Sequence, residues 1–253
     1  MTPGIADDAA TLEIYEKVLD DPILGPSVRR GLSQLTGIKN STIVDMGCGK
    51  GFVSVFFALH GATVIGFDTE AKSLARAGNL AKKFNVQDRC HFFRSCSEQM
   101  PITPGSVDVV FSRSTLQYTD RWRVFEECQR ILKPGGTLIL NENLPYNPII
   151  NFFRLQRRLR ARTPDAVGYV KSIRGYITFR DIHALETHFS QVTHSESHLF
   201  RVASLGLVSR YKDASWVKRV DRAVAALDNL LLKHFAISRY AAWMVSIVGT
   251  GKR

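Results

Sequence analysis

The sequence lacks several features that identify a protein's class directly, such as paired cysteines, long apolar runs and clustered metal ligands. It has four cysteines in 253 residues, none of them in a CxxC pair: Cys48, Cys90, Cys96 and Cys128. This spacing indicates neither a zinc site nor a disulfide framework, so we expect a reducing compartment. The sequence also shows no internal repeat and no low-complexity segment.

Long apolar runs are missing as well. The longest run near the end, residues 235–249, contains Arg239 and is too short to span a membrane. Residues 1–16 are acidic and contain no long apolar run, which argues against a signal peptide. We therefore expect a cytoplasmic protein.

Metal-ligand clusters are also absent from the sequence pattern. Four of the seven histidines fall close together, at positions 183, 188, 194 and 198. They lie on different predicted elements, so a core or solvated role is expected for each. We predict no metal site.

Acidic residues are scarce in the last two fifths of the chain. Residues 1–150 carry 16 Lys and Arg against 16 Asp and Glu, whereas residues 151–253 carry 18 against 7. The net charge of +11 therefore belongs to the second part. A positive field of this kind attracts anionic small molecules, anionic membrane surfaces or nucleic acid, and says nothing about the fold.

Short apolar runs alternate with helix-length segments in the first part of the chain. Five strand candidates recur there: TIVDM (42–46), TVIGFD (63–68), CHFFRS (90–95), VDVVFS (107–112) and GTLILNEN (136–143). Helices are predicted at 52–61, 70–84 and 121–132. With two more strand candidates at 190–200 and 241–252, this order predicts a Rossmann-like α/β fold. Its seven-stranded, mostly parallel sheet would carry helices on both faces.

The regular alternation breaks after residue 144. Residues 147–164 and 176–189 contain predicted helices, and 216–235 is a predicted helix with an apolar stripe formed by Val217, Val220, Val224, Leu227 and Leu231. We expect these segments to form a helical lid, inserted after strand 5 and between strands 6 and 7. The single predicted domain then divides into N-terminal helices (1–40), a cofactor-binding core (41–145), substrate-side insertions and lid (146–240) and a closing strand (241–253).

A glycine-rich turn, VDMGCGKGF at residues 44–52, links the first strand to the first helix. A dinucleotide-binding turn needs the pattern G-x-G-x-x-G, but Phe52 stands where the third glycine is required. Asp45 would also repel a pyrophosphate placed on this turn. A dinucleotide is therefore disfavoured as the ligand.

The segment VDMGCGKG resembles the first motif of class I S-adenosylmethionine-dependent methyltransferases. Further segments are similar to later parts of the same family, in the same order: VIGFD, SCSEQMP, VDVVFSRSTLQYTD and RILKPGGTLIL. The last of these is similar to the small-molecule members of the methyltransferase type 11 group. The resemblance covers roughly residues 40–145. It implies an enzyme that transfers a methyl group from S-adenosyl-L-methionine and releases S-adenosyl-L-homocysteine.

The resemblance also assigns the cofactor contacts. It places these residues against the cofactor: Asp45, Gly47, Cys48, Gly49 and Gly51 at the methionine and ribose part, Asp68 and Thr69 at the ribose, Cys96, Ser97 and Glu98 at the adenine, and Ser112 nearby. Cys96 stands where the family commonly has Asp, so Ser97 or Glu98 is the expected substitute. Because the ligand carries an ammonium and a sulfonium, the Asp45 carboxylate favours its binding. The glycines keep side chains out of its space.

The acceptor side carries no diagnostic motif. Methyl transfer from a sulfonium needs an aligned nucleophile and a dry cleft, and an acceptor hydroxyl or acidic carbon also needs a base. Glu142 is the first candidate for that base, followed by His198 and by Gln117 as an orienting group. The apolar stripes of the lid and the basic helix 149–162 predict a hydrophobic or anionic small-molecule acceptor, lipid-linked or natural-product-like, with O-methylation favoured. Peripheral contact with a membrane surface is the related expectation.

Two other functions remain open at this point. Adenine-directed nucleic-acid methyltransferases carry an Asn- or Asp-Pro-Pro-Tyr-like motif after the fourth strand, where this chain has SRST. No aromatic-basic platform is apparent either, so a nucleic-acid substrate is disfavoured. The other alternative is a catalytically silent module that binds the cofactor and acts through protein contacts.

Overall fold

The computed structural model describes residues 9–21, 24–33, 35, 37–211 and 214–253. Two helices precede the sheet, α1 (Ala9–Val18) and α2 (Leu24–Leu32). They occupy part of the segment 1–40 for which N-terminal helices were predicted. The prediction also falls on residues 1–8, 22, 23, 34 and 36, which lie outside the described residues.

Seven strands form one sheet. In chain order they are β1 (Thr42–Met46), β2 (Thr63–Asp68), β3 (Cys90–Arg94), β4 (Val107–Arg113), β5 (Leu132–Asn143), β6 (Phe189–Ser197) and β7 (Met244–Lys252). The strand order is β3-β2-β1-β4-β5-β7-β6, with β7 antiparallel to both of its neighbours. The predicted Rossmann-like, mostly parallel seven-stranded sheet is therefore confirmed.

Three helices link the first five strands, and the sheet is buried on both faces. They are α3 (Phe52–Leu59), α4 (Ala71–Lys83) and α5 (Arg121–Ile131). In β1, Ile43 packs with α1 and α3, whereas Val44 and Met46 belong to the core on the opposite face. Burial on both faces explains why the strands read as near-continuous apolar runs.

The connection between β5 and β7 is mostly helical. It contains α6 (Pro148–Arg160), α7 (Pro164–Ser172), α8 (Phe179–Ala184), α9 (Arg201–Arg210) and α10 (Ser215–His234). The sequence did not predict α7 and α9 as separate helices. Helices α6 and α7 contain no buried residue. They therefore lie on the surface of the fold.

The apolar stripe predicted for α10 is wrong in part. Val217 is buried, but Val220 and Leu227 are 40% and 46% exposed. The buried face of the helix instead contains two carboxylates, Asp221 and Asp228. These positions are polar because α10 packs on α9, whose N-terminal groups need acceptors.

The two α10 carboxylates hold α9 in place. Asp228 accepts hydrogen bonds from three backbone N–H groups at distances of 2.8 to 3.1 Å: Leu199, Phe200 and Arg201. Asp221 forms a two-pronged ion pair with Arg201, at 3.0 and 2.8 Å, and accepts a hydrogen bond from Ser204. Each buried charge is thus fully paired, as a buried carboxylate must be.

No helix of the described residues is both long and apolar enough to cross a bilayer.

Replacement of Asp228 by Ala is expected to lower the free energy of unfolding by about 2 kcal/mol, because three buried N–H groups lose their charged acceptor. The measurement is urea unfolding followed by circular dichroism. The control is Glu126→Ala, at an exposed helix position, with an expected change below about 0.5 kcal/mol. Equal unfolding midpoints for the two variants would contradict this role of Asp228.

Candidate functional site

The largest cavities include one at the carboxyl ends of β1, β2 and β4, which we call the main cavity. Its volume is about 740 Å³. Its walls are formed by Gly47, Phe67, Asp68, Thr69, Glu70, Ser95, Cys96, Ser97, Glu98, Arg113, Ser114, Thr115, Tyr118, Thr119, Tyr169, Lys171, Ser172 and Arg174. Ligands of open α/β sheets bind at this edge, outside the carboxyl ends of the strands.

The glycine turn has a backbone that only glycine adopts readily. Gly47, Gly49 and Gly51 have φ values of +70°, +52° and +78°. A Cβ on Gly47 would lie 2.3 Å from Thr115 Oγ1, and one on Gly51 would lie 2.7 Å from Ala77 Cβ. A Cβ on Gly49 would meet no atom within 4 Å. Two of the glycines therefore allow close packing, and the third faces open space at the cavity edge.

Asp68 ends β2 and is tied to the glycine turn. Its Oδ2 accepts a hydrogen bond from Gly49 N–H at 3.0 Å, and its Oδ1 accepts one from Glu70 N–H at 2.9 Å. A carboxylate has about four lone-pair positions, so both oxygens keep room for a further donor. The side chain is fixed in place and still able to receive two neighbouring hydroxyls.

Asp45 lies on the other side of the turn, in a smaller space that we call the glycine-loop cavity. This cavity has a volume of about 390 Å³ and is also bordered by Cys48, Gly49 and Arg113. Asp45 is 3% exposed and accepts a hydrogen bond from Ser54 Oγ. Burial raises the pKa of Asp45 to about 6, although the Ser54 contacts oppose the shift. A cation in this cavity would favour the ionised form.

The segment predicted to meet the adenine lines the main cavity. Cys96 is exposed, Ser97 is buried, and Glu98 lies between these extremes. Glu98 accepts a hydrogen bond from Asp120 N–H at 3.0 Å and lies 3.8 Å from Arg174. The three residues share the cavity with Asp68, as their predicted roles require.

Two other residues predicted to lie near the cofactor differ in their placement. Ser112 is fully buried between β1 and β4, where its hydroxyl donates to the Met46 carbonyl oxygen, and it borders neither the main nor the glycine-loop cavity among the described residues. Cys48 does border the glycine-loop cavity. Burial raises the pKa of the Cys48 thiol, which keeps it protonated and unreactive.

Glu142, the first candidate base, lies behind the wall of the main cavity. It is 1% exposed, and its Oε1 accepts hydrogen bonds from Thr115 N–H at 3.1 Å and Leu116 N–H at 3.3 Å. Burial raises the pKa of Glu142 to about 8, despite these hydrogen bonds. Glu142 therefore holds the segment that carries Thr115 and Tyr118, two residues of the cavity wall.

The other two candidates also have hydrogen-bond partners within the protein. Gln117 is buried, receives a hydrogen bond from Asn143 at 3.3 Å, and accepts the Arg174 N–H at its backbone oxygen. It therefore braces the same wall. His198 follows β6, the strand at the far edge of the sheet, and its Nδ1 lies 2.8 Å from Ser197 Oγ. The described lining of the main cavity includes neither residue.

Several residues of the main cavity were missed by the sequence analysis. They are Arg113, Thr115, Tyr169, Lys171, Ser172 and Arg174. Four of them come from α7 and the segment after it. A start signal for α7 was available: Thr163 caps the helix by accepting the Ala166 N–H, and Pro164 follows at the first position. The helix was overlooked because its nine residues are too few to show a clear apolar repeat.

Comparison with known proteins identifies the family. Residues 44–140 match a family sequence model described as a methyltransferase domain. The chain is 32% identical over 236 residues to 27-O-demethylrifamycin SV methyltransferase of Amycolatopsis mediterranei, covering 92% of this chain and 78% of that one. It is 31% identical over 107 residues to ubiquinone biosynthesis O-methyltransferase of Psychrobacter cryohalolentis, covering 42% of each chain.

Solved structures show the same fold. Geranyl diphosphate C-methyltransferase from Streptomyces coelicolor superposes with a TM-score of 0.60 at 15% identity, over 98% of this chain and 86% of that chain. A phosphoethanolamine N-methyltransferase of Haemonchus contortus gives a TM-score of 0.59 at 17% identity, over 95% of this chain and 56% of that chain. The chain belongs to the class I S-adenosylmethionine-dependent methyltransferases, as a small-molecule enzyme of the type 11 group.

Proposed function

We propose that this enzyme methylates a hydrophobic or anionic small molecule, with oxygen as the favoured acceptor atom. The observation that carries the proposal is the composition of the main cavity. Acidic residues, Asp68 among them, line its β2 side, whereas α7 and the segment after it supply an aromatic and cationic wall. The names of two relatives support the choice of oxygen. One is a ubiquinone biosynthesis O-methyltransferase, and the other is named for a 27-O-demethyl compound.

The residues present fit the cofactor. Asp68 is proposed to accept both ribose hydroxyls, with Thr69 beside it, and the 96–98 segment to border the adenine. Asp45 and the glycine turn are proposed to meet the cationic methionine end, where Gly49 leaves open space. Arg113 borders both cavities, so its guanidinium suits the carboxylate of that end.

The proposed reaction requires the protein to position the acceptor, to exclude water from the cleft and to supply a proton acceptor. S-adenosylmethionine supplies, when bound, a methyl group on a positively charged sulfur. Tyr118 and Tyr169 both line the main cavity, with ring centroids 6.4 Å apart, and are proposed to exclude water from the reacting atoms. Glu142 is proposed to take the proton of an acceptor hydroxyl, because a base with a pKa near the working pH is effective. Gln117 is proposed to orient the acceptor, and His198 is the more remote alternative base.

A finer proposal concerns where the acceptor resides. Helix α6 exposes Phe152, Phe153 and Leu159 by 56%, 51% and 73%, next to Arg160 in its last turn. Apolar side chains beside arginines are typical of helices that rest on anionic membranes. We therefore propose peripheral contact of the cytoplasmic enzyme with such a membrane through the basic helix 149–162.

Methyl-labelled S-adenosylmethionine incubated with the enzyme and an extract of the source cells is expected to label a small molecule. Asp68→Ala is expected to weaken cofactor binding about tenfold or more, because two charge-assisted hydrogen bonds are lost, and to reduce labelling accordingly. The matched control is Asp88→Ala, at an exposed position away from the cavities. Label is counted separately in the organic and aqueous phases.

Label in the organic phase supports a lipid-like acceptor and the membrane contact. Label in the aqueous phase points to a soluble acceptor and argues against that contact. Label on RNA or DNA would contradict the proposal. Absence of turnover with intact cofactor binding would identify a catalytically silent module.

Cofactor affinity is expected to rise with pH through about 6 and then to level off. Asp45 has its pKa raised to about 6, so it is neutral below this pH and attracts the cationic methionine end only above it. Isothermal titration with S-adenosylhomocysteine between pH 5 and 8 measures the effect. Asp45→Asn is expected to bind weakly with a flat profile. A flat profile in the unmodified enzyme would rule out this role.

Glu142→Gln is expected to lower kcat about 100-fold and to remove the rise of activity with pH that is centred near 8. The amide oxygen can still accept the Thr115 and Leu116 N–H groups, so the cavity wall should persist. Glu126→Gln serves as the exposed control. A kcat within about threefold of the unmodified enzyme would show that Glu142 only holds the wall.

A further inference from the structure

A second large cavity lies between α6 and α7, and we call it the arginine cavity. Its volume is about 740 Å³. Four of its lining residues are cations: Arg154, Arg157, Arg158 and Lys171. Its lining contains no Asp or Glu among the described residues. A cavity with one sign of charge and apolar walls concentrates ligands of the opposite charge.

The cations of this cavity have no counter-charge among the residues that the structure describes. Within the described ranges, no carboxylate lies within 4.0 Å of any of the four cationic groups. Residues 148–175 contain seven Lys and Arg but a single acid, Asp165. An arriving anion therefore meets charges that no internal partner has neutralised.

Two of the arginines are held ready by neighbouring groups. The Arg154 guanidinium lies 3.5 Å from the centre of the Tyr176 ring and donates to the Leu144 carbonyl oxygen at 3.0 Å. Arg157 lies 5.6 Å from the Tyr169 ring centre and 3.4 Å from its hydroxyl. Stacking and hydrogen bonds of this kind reduce the rotamer freedom that binding would otherwise remove.

The remaining walls are apolar. They are formed by Leu155, Ala161, Val167, Val170 and Ile173. No side chain of α6 or α7 is fully buried in the protein itself, so these partly exposed groups become more deeply buried when something fills the cavity. The occupant must therefore offer an apolar body as well as a negative charge.

The arginine cavity adjoins the main cavity. Tyr169 and Lys171 belong to the walls of both, which makes α7 their common partition. A molecule with one end in the main cavity and the other at the arginines would lie along α7, beside Tyr169 and Lys171. This adjacency links the second cavity to the methyl acceptor rather than to an unrelated ligand.

We propose that the arginine cavity binds the anionic group of the methyl acceptor, and that the acceptor is an amphipathic anion with a phosphate or carboxylate on an apolar body. Arg157, Arg158 and Lys171 meet the anion, and the apolar walls meet the body next to it. This inference rests on the proposed function, because the acceptor role requires methyl transfer in the main cavity.

The test uses decyl phosphate as a probe of this chemistry, titrated calorimetrically into the full chain with and without S-adenosylhomocysteine. Decyl phosphate is expected to bind at least about tenfold more tightly than decanol or inorganic phosphate, since the cavity offers both charge and apolar surface. Arg157→Gln with Arg158→Gln is expected to weaken it about tenfold or more. The matched control is Arg160→Gln with Arg162→Gln, which removes the same charge nearby but outside the cavity lining.

A second variant tests the cavity without changing charge. Val167→Phe places a larger side chain in the cavity and is expected to weaken decyl phosphate binding to a similar degree. S-adenosylhomocysteine binding is expected to stay within about twofold in all three variants, so its loss would signal failure of the cofactor site instead.

Three outcomes would overturn the inference. Equal weakening of decyl phosphate binding by the two double substitutions would mean that the overall positive charge of the lid attracts the probe. Equal affinities for decyl phosphate and inorganic phosphate would show that the apolar walls of the cavity do not contribute to binding. Binding to phosphatidylglycerol vesicles that depends on Arg157 and Arg158, without binding of monomeric decyl phosphate, would assign these arginines to a membrane surface.

Discussion

The hydrogen bond from Gly49 N–H to Asp68 ties the two strand ends on which the site depends. It joins the turn after β1 to the end of β2, so the residues around the two neighbouring strand ends keep one geometry. The parallel pairing of these strands brings both ends to the same edge of the sheet. The turn presents this N–H to the carboxylate with Gly49 at a left-handed φ, a conformation that glycine adopts without strain. The proposed cofactor contacts depend on this arrangement.

Charge is divided across the site in a way that suits methyl transfer. The glycine-loop cavity holds the buried carboxylate of Asp45, which favours a cation, whereas α6 and α7 present unpaired cations, which favour an anion. In the proposed arrangement, a cationic methyl donor and an anionic acceptor bind on different sides of one sheet edge. Coulomb attraction between the two ligands would then help to bring them together in the main cavity.

Much of the core could be predicted from the sequence because its signals are local. The bounds of β1 and β2 follow from apolar runs closed by Gly and Asp, and the proposed role of Asp68 follows from the resemblance of VIGFD to the family's motif. Helix α7 of the lid could not be predicted in the same way, since its nine residues are too few to show a clear apolar repeat. The stripe on α10 was misread because Asp221 and Asp228 are buried to cap and pair with α9, a partner that periodicity does not reveal. Glu142 was found as a carboxylate near the sheet edge, but only the structure shows that backbone N–H groups already use it.

A crystal structure of the enzyme with S-adenosylhomocysteine tests the central claim most directly, since every assigned role depends on where this ligand lies. The account predicts both ribose hydroxyls within about 3.2 Å of the Asp68 carboxylate, the adenine beside Ser97, and the amino-acid end against Asp45 and Gly49. Ligand density outside the main and glycine-loop cavities, or a ribose turned away from Asp68, would contradict it.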